Sequence, residues 1–270
     1  MSVQISEIGY TNRPMNESSQ LIAQGLNFIQ MKKILILLLI STALHAQKTG
    51  GTIRYDFGWD YLKRIEKNKF LNNEQKQRAL QTWKNDEVYK TGMQLQFNPE
   101  GSYYGQAADE RGNSWQKTEY WIRRDFTQNQ VLETQMIGGK VYIVEDSLYT
   151  FPWKIRNEIK EVAGYLCMLA TAYDPVRDYT IEAWFTTDIP ANVGPEEFNG
   201  LPGAILQVII DEGVVTITAT SVALNENQEL PALPRKVKGK RYTRADYREA
   251  VTKYVKDMEE ARQIAWGLRY

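Results

Sequence analysis

The sequence predicts an α+β, β-rich protein: a single domain with one large, curved, mainly antiparallel sheet and a few helices packed against it. Three observations predict this. Short segments of alternating apolar and polar residues recur between residues 52 and 224, as half-buried strands require. Tight-turn sequences separate them, at Asn98-Pro-Glu-Gly101, Gly138-Gly139 and Asp211-Glu-Gly213. One stretch near the C-terminus carries clear helical spacing. A closed β-barrel or a sandwich is the alternative arrangement of the same strands.

Taken in order, Thr52–Phe57 alternates through Ile53, Tyr55 and Phe57 and reads as the first strand. Residues 60–90 are charged and read as helical, with a weak stripe of Leu62, Ile65, Leu80 and Trp83. Met93–Phe97 and Ser102–Gly105 form a hairpin around a turn in which Pro99 has the φ it prefers. Thr118–Phe126 and Val131–Met136 follow, and Gly138-Gly139 turns the chain into Val141–Val144. Val162–Ala172 and Tyr179–Thr187 read as long strands. Ala204–Ile210, apolar on both faces except at Gln207, reads as a central strand and pairs through a turn with Val214–Leu224. A Pro- and Lys-rich connector, 231–240, precedes a helix capped by Thr243 with Asp246 three residues on. Its stripe of Tyr247, Ala250, Val251, Tyr254, Val255 and Met258 is expected to pack on the sheet.

The first 46 residues read differently. Lys32-Lys33, the apolar run from Ile34 and the small residues before Gln47 have the layout of a secretory signal peptide over 31–46. The 11 residues from Ile34 to Leu44 are too few for a membrane span, which needs roughly 20. A buried helix of the mature fold is the competing reading. Residues 1–30 are polar and aperiodic and end where Met31 offers a start, so they read as an upstream start-site extension. A genuine extension would instead make the apolar run an internal anchor. The working domain is therefore expected over 47–270, exported to the periplasm, the outer membrane or the medium, with no stable span.

Export at that site also limits the chemistry. It removes His45, the one histidine, so Ser-His-Asp and Cys-His catalysis lose their usual base. Zinc sites built on histidine or several cysteines are excluded on the same ground, since Cys167 is the only cysteine. Neither a cofactor nor a metal is expected. Lysine plus arginine and aspartate plus glutamate are balanced at 33 each, which gives no signal for nucleic-acid binding. The acid pairs Asp109-Glu110, Glu145-Asp146, Glu196-Glu197 and Asp211-Glu212 sit in or beside turns and read first as solvated surface. Cys167, among Leu166, Leu169 and Ala170, reads as a buried small hydrophobe. Trp115, Tyr120, Trp121, Phe126, Trp153, Tyr165, Trp184 and Phe185 are expected in the core or in cross-strand pairs. A curved sheet gathering them into a greasy or sugar-stacking pocket is the functional alternative.

Gly164-Tyr-Leu-Cys167 with Ala170, then Trp184–Pro190, Gly194-Pro195, Phe198 and Gly200-Leu-Pro-Gly-Ala-Ile-Leu206 resemble the GLPGLI family in content and order. Ala204 stands where the family's name has leucine. The resemblance implies a secreted or envelope protein of unassigned activity, with some relatives linked to outer-membrane transporters. It supplies no catalytic residues. Fold analogy to lipoprotein carriers adds a half-barrel as a form the sheet could take.

The motif has a structural reading of its own. Leu201-Pro-Gly-Ala204 suits a type II turn launching the next strand, and Gly200 allows close backbone approach. The functional alternative is a rigid rim for a ligand or partner, made of Glu196, Glu197, Phe198, Gly200, Leu201, Pro202 and Gly203. The leading expectation is an envelope binding or interaction module. Its partners would be an outer-membrane transporter or a small hydrophobic or peptide ligand, met in a pocket or at a sheet edge. The rival is a histidine-free hydrolase working through carboxylates or a carboxylate-bound metal.

Overall fold

A computed structural model of the protein describes residues 50–84, 88–107, 120–233 and 240–270. The chain divides into two units, 1–47 and 48–270. The first lies outside the described residues, and with it the signal sequence, the upstream extension and His45. Trp115, Asp109-Glu110, the first residues of the strand expected from Thr118, and most of the 231–240 connector also lie outside them.

The described residues between 51 and 242 form one open sheet of twelve strands. They are β1 (Gly51–Asp60), β2 (Val88–Asn98), β3 (Gly101–Gln106), β4 (Trp121–Asp125), β5 (Gln130–Ile137) and β6 (Lys140–Ser147), then β7 (Lys154–Val162), β8 (Tyr165–Asp174), β9 (Tyr179–Thr186), β10 (Ala204–Ile210), β11 (Val215–Leu224) and β12 (Arg241–Tyr242). Their spatial order is β12-β6-β5-β4-β3-β2-β1-β11-β10-β9-β8-β7. Every pairing is antiparallel except the short parallel contact of β12 with β6. Two meanders, β1–β6 and β7–β11, are therefore joined where β1 pairs with β11. One open sheet replaces the barrel and sandwich alternatives.

Cross-strand register explains the core. Ile53, Leu95, Tyr104, Ile122, Glu133 and Val144 stand opposite one another from β1 to β6, and all six are buried. On the other half, Phe57, Ile217, Val208, Ala183 and Ala170 form the matching row, which ends at the exposed edge residue Ile155. Side chains directly opposite share a face, so these rows define one inner face. The Tyr55 hydroxyl donates to the Ile205 carbonyl at 2.7 Å, tying β1 to β10 across β11. As expected, β10 is central and nearly all buried.

Among the described residues three α-helices flank the sheet: α1 (Tyr61–Lys67), α2 (Asn73–Thr82) and α3 (Arg244–Glu260). The helical reading of 60–90 resolves into two, because Asn68 ends α1 and the Asn72/Gln75 capping box starts α2. Thr243 and Asp246 form the expected capping box of α3. The α3 stripe packs Tyr247 and Val251 against Ile137, Val144 and Leu268.

Two local expectations change. The strand expected over Val162–Ala172 is broken by a tight turn at Ala163-Gly164, whose φ values are 51° and 83°. Its first arm, β7, lacks alternation because it is the sheet edge and is exposed almost throughout. The type II turn at Leu201–Ala204 is not formed. Gly203 N–H donates to the Leu201 carbonyl at 2.8 Å, a tighter turn about Pro202, while Ala204 N–H donates to Ile189. Gly203 has φ +150°, and a side chain there would collide with the Thr186 carbonyl.

Candidate functional site

The loop between β9 and β10, residues 187–203, folds onto the inner face instead of into solvent. Backbone bonds hold it in shape: Ile205 N–H to Val193 at 2.9 Å and Phe198 N–H to Pro195 at 3.1 Å. Gly200, at φ +89°, lets the loop pass against Thr150, where any side chain would clash. Glu196 also has positive φ, 50°, a conformation costing about 1–2 kcal/mol outside glycine.

That conformation places Glu196 at the centre of a buried ionic cluster. Its carboxylate receives Arg269 Nε at 2.8 Å and Nη2 at 2.7 Å, and the Tyr120 hydroxyl donates to it as well. Its backbone carbonyl accepts from Arg124. Arg269 lies over the Tyr120 ring at 3.7 Å and the Phe57 ring at 4.4 Å. Beside it, Glu197 pairs with Arg244 at 2.7 Å and accepts from the Tyr270 hydroxyl at 3.1 Å. Arg244 also lies 3.8 Å from Glu133. Arg177 pairs with Asp174 at 2.6 Å. Phe198 stacks with Phe151 at 5.2 Å and Tyr270 at 5.8 Å.

Burial sets the electrostatics of this cluster. It opposes the Arg269 charge, but the Glu196 carboxylate and the Tyr120 and Tyr104 hydroxyls together outweigh it and hold the guanidinium above its ordinary pKa. Arg244 is raised in the same way by Glu197 and Glu133. Burial, reinforced by Glu196, pushes the Tyr120 and Tyr104 hydroxyls well up. The Glu133 carboxyl is raised by burial, against the pull of Arg244. Arg124 is lowered by burial despite Glu133. The cluster is a charge-matched plug, since each carboxylate faces a guanidinium.

The structure therefore distributes the seven rim candidates unevenly. Glu196, Phe198, Leu201 and Gly203 are buried, Glu197 is partly covered, and only Gly200 and Pro202 are exposed. Sequence reasoning missed Arg269, Tyr270, Arg244, Arg124 and Glu133. A signal existed for two of them: Arg124 and Glu133 occupy inward-facing positions beside Ile122 and Val131, where alternation calls for apolar side chains.

Open space lies beside the cluster. A groove of about 990 Å³ runs along the ends of β8 and β9. Tyr149, Phe151 and Pro152 line it from the segment before β7. Ala172 and Ile181, paired across β8 and β9, form its inner-face floor, and Tyr173 lines it from the opposite face of the sheet. Lys154, Arg156, Arg244, Arg248, Asp174, Glu182 and Glu212 supply its charge. Asp174 alternates with Ala172, whereas Glu182 stands opposite Thr171, so the two carboxylates lie on opposite faces of the sheet. A smaller cavity of about 450 Å³ lies between α1 and the end of α3.

Elsewhere, Asp146 accepts from the Arg244 N–H at 2.9 Å, Glu145 pairs with Arg241, and Asp211 and Glu212 hold Lys67. Among the described residues, no three His, Cys, Asp or Glu side chains gather as a metal site would need. Cys167 is buried, and burial pushes its thiol up to about 11. Trp184, Phe185 and Trp121 are buried, and Tyr120, Phe126, Trp153 and Tyr165 are partly so.

With that geometry in place, comparison with known proteins adds the following. Residues 176–207 match the family described as Protein of unknown function (Porph_ging). The match spans the β8–β9 turn, all of β9, the inner-face loop and the start of β10. No curated protein matches the chain. Among solved structures, PNGF-II in its C2 crystal form is similar over 76% of this chain, with 15% identity and a TM-score of 0.48. The P21 form gives the same identity, coverage and TM-score. This chain spans about a third of PNGF-II, 33% and 34% in the two forms.

Proposed function

We propose that this chain is an exported envelope protein of the GLPGLI family that works as a binding module, with the 990 Å³ groove as its receiving surface. The observation that carries the reading is the groove itself, an open concavity with aromatic and aliphatic walls and a few charged groups at its border. The family part rests on overlap: the matched stretch 176–207 contains most of the motif that suggests it. A hydrolase is the weaker reading. Glu196 and Glu197 are committed to Arg269 and Arg244, and Glu133 faces Arg244 inside the cluster. Of the three carboxylates that line the groove, Asp174 and Glu182 lie on opposite faces of the sheet and Glu212 is held by Lys67.

The test is direct binding by the full chain. It is offered a random decapeptide library and a panel of fatty acids, alongside Ala172→Trp, which fills the groove floor. Saturable binding by at least one class, lost in Ala172→Trp with the fold intact by circular dichroism, supports the reading. Binding of neither class, or binding indifferent to Ala172→Trp, overturns it. Export is tested separately by N-terminal sequencing of the protein outside the cytoplasm, with a start near Gln47 expected.

A further inference from the structure

We infer that the groove takes an extended acidic peptide segment of a partner, which adds as a strand to the uncovered end of β8. This deepens the binding-module reading and rests on it. β7 covers β8 only as far as the pair Lys154–Thr171. β8 then continues through Ala172, Tyr173 and Asp174, each paired with β9 on one side. Among the described residues, no strand lies on their other side. Three residues of open edge are about 10 Å long, room for a short incoming strand.

Pro152 explains why the step is open. Proline has no N–H to give to a ladder, and the chain turns there, with Trp153 N–H donating to the Phe151 carbonyl at 2.8 Å. The preceding residues leave the edge, and Phe151 stacks on Phe198 instead. The diverted segment thereby becomes the groove wall.

The rest of this edge is defended against pairing. β7 carries Lys154, Arg156, Glu158, Lys160 and Glu161, and its register is interrupted between Ile155 and Ile159. Charges and bulges are the usual means of blunting an edge strand. The undefended step coincides with the groove.

Charge selects the partner. Neither Lys154 nor Arg156 has a carboxylate in ion-pair distance among the described residues; Arg156 Nε donates to the Thr171 hydroxyl at 3.1 Å. Arg248 reaches Asp174 only at 3.5 Å, and Arg177 already holds that carboxylate at 2.6 Å. Glu212 is taken by Lys67 at 3.0 Å. Glu182 shares the Thr171 face with Lys154 and Arg156 and, among the described residues, is in no ion pair, whereas Arg248 lies with Asp174 on the other face. Strand addition supplies backbone bonds, and the side-chain surroundings supply selectivity, here for acidic residues alternating with apolar ones that meet Phe151 and Ala172.

The experiment uses the full chain and fluorescently labelled octapeptides of alternating valine and glutamate, read by anisotropy at low salt. The glutamate peptide is expected to bind at least tenfold more tightly than its valine–lysine counterpart. N-methylation of one alternate set of amides should weaken it at least tenfold, and methylation of the other set should change it less than twofold, because only one set faces β8. Lys154→Glu combined with Arg156→Glu, both exposed on the Thr171 face, should reverse the charge preference while circular dichroism stays unchanged. Equal binding of both methylated peptides, or of the lysine peptide, overturns strand addition by an acidic segment. If no peptide binds but a fatty acid does, and Ala172→Trp abolishes it, this inference fails and the binding-module reading stands. If nothing binds in the groove, both fail.

Discussion

Glu133 and Glu196 are buried among the same arginines and are held differently. Glu196 has both oxygens engaged by Arg269 and one also by Tyr120, whereas Glu133 Oε2 has no hydrogen-bond partner. Glu196→Gln leaves Arg269 buried without its counter-charge and is expected to cost about 3–5 kcal/mol in urea unfolding. Glu133→Gln is expected to act in the opposite direction. Its folded pKa lies above the unfolded value, so its contribution is lost as pH rises through the folded pKa. The variant should therefore have a higher urea midpoint at pH 7 and the wild-type midpoint below pH 4, where the carboxyl is protonated in both states. Cys167 has the same sign in the alkaline range. Its thiol is raised from 9.0 to about 11, so stability should fall across that interval as the unfolded chain loses its proton first. Thermal unfolding against pH should show a shallower fall for Cys167→Ala. Native thiol titration at pH 8 should be slow.

Among elements, the β7–β8 hairpin departs most from local preference. Ala163 adopts φ 51° in a two-residue turn that favours asparagine followed by glycine. Ala163→Asn is expected to stabilise the protein by about 1 kcal/mol, measured by urea denaturation, because left-handed backbone costs alanine about that much. The hairpins at Asn98–Gly101 and Gly138-Gly139 were legible because turn chemistry and strand alternation agree over a few residues. The β7–β8 turn was hidden because alanine gives no turn signal and a charged edge strand has no buried face to alternate. The α3 helix was legible for the converse reason: its cap and its stripe lie in one continuous segment.

For the whole molecule, the most distant contacts hold the centre together. β1 pairs with β11, and the last residues of the chain return to the inner face. Trp59 Nε1 donates to the Arg269 carbonyl at 2.7 Å, and Gly138 N–H donates to Gly267 at 3.1 Å. Tyr270 fills space beside Phe198. Deleting residues 267–270 uncovers this apolar surface and leaves Glu196 without Arg269. The expected outcome is loss of the near-ultraviolet circular dichroism signal and of cooperative unfolding. Retention of a sharp transition would show that the sheet closes its core without the tail.

By itself the sequence determined the β-rich class, the central place of Ala204–Ile210, most hairpins and the capped C-terminal helix. These are local matters, decided by alternation, turn residues and capping over a few positions. It also offered Glu196–Gly203 as a candidate rim, the alternative to a plain turn before the strand. Only the tertiary structure decided which way that segment faces. Contacts some seventy residues apart turn Glu196 and Glu197 inward onto Arg269 and Tyr270, and short-range pattern cannot register such contacts. The same holds for the groove: Pro152 is visible in the sequence, but the open step it leaves on β8 exists only once β7, β8 and β9 are paired.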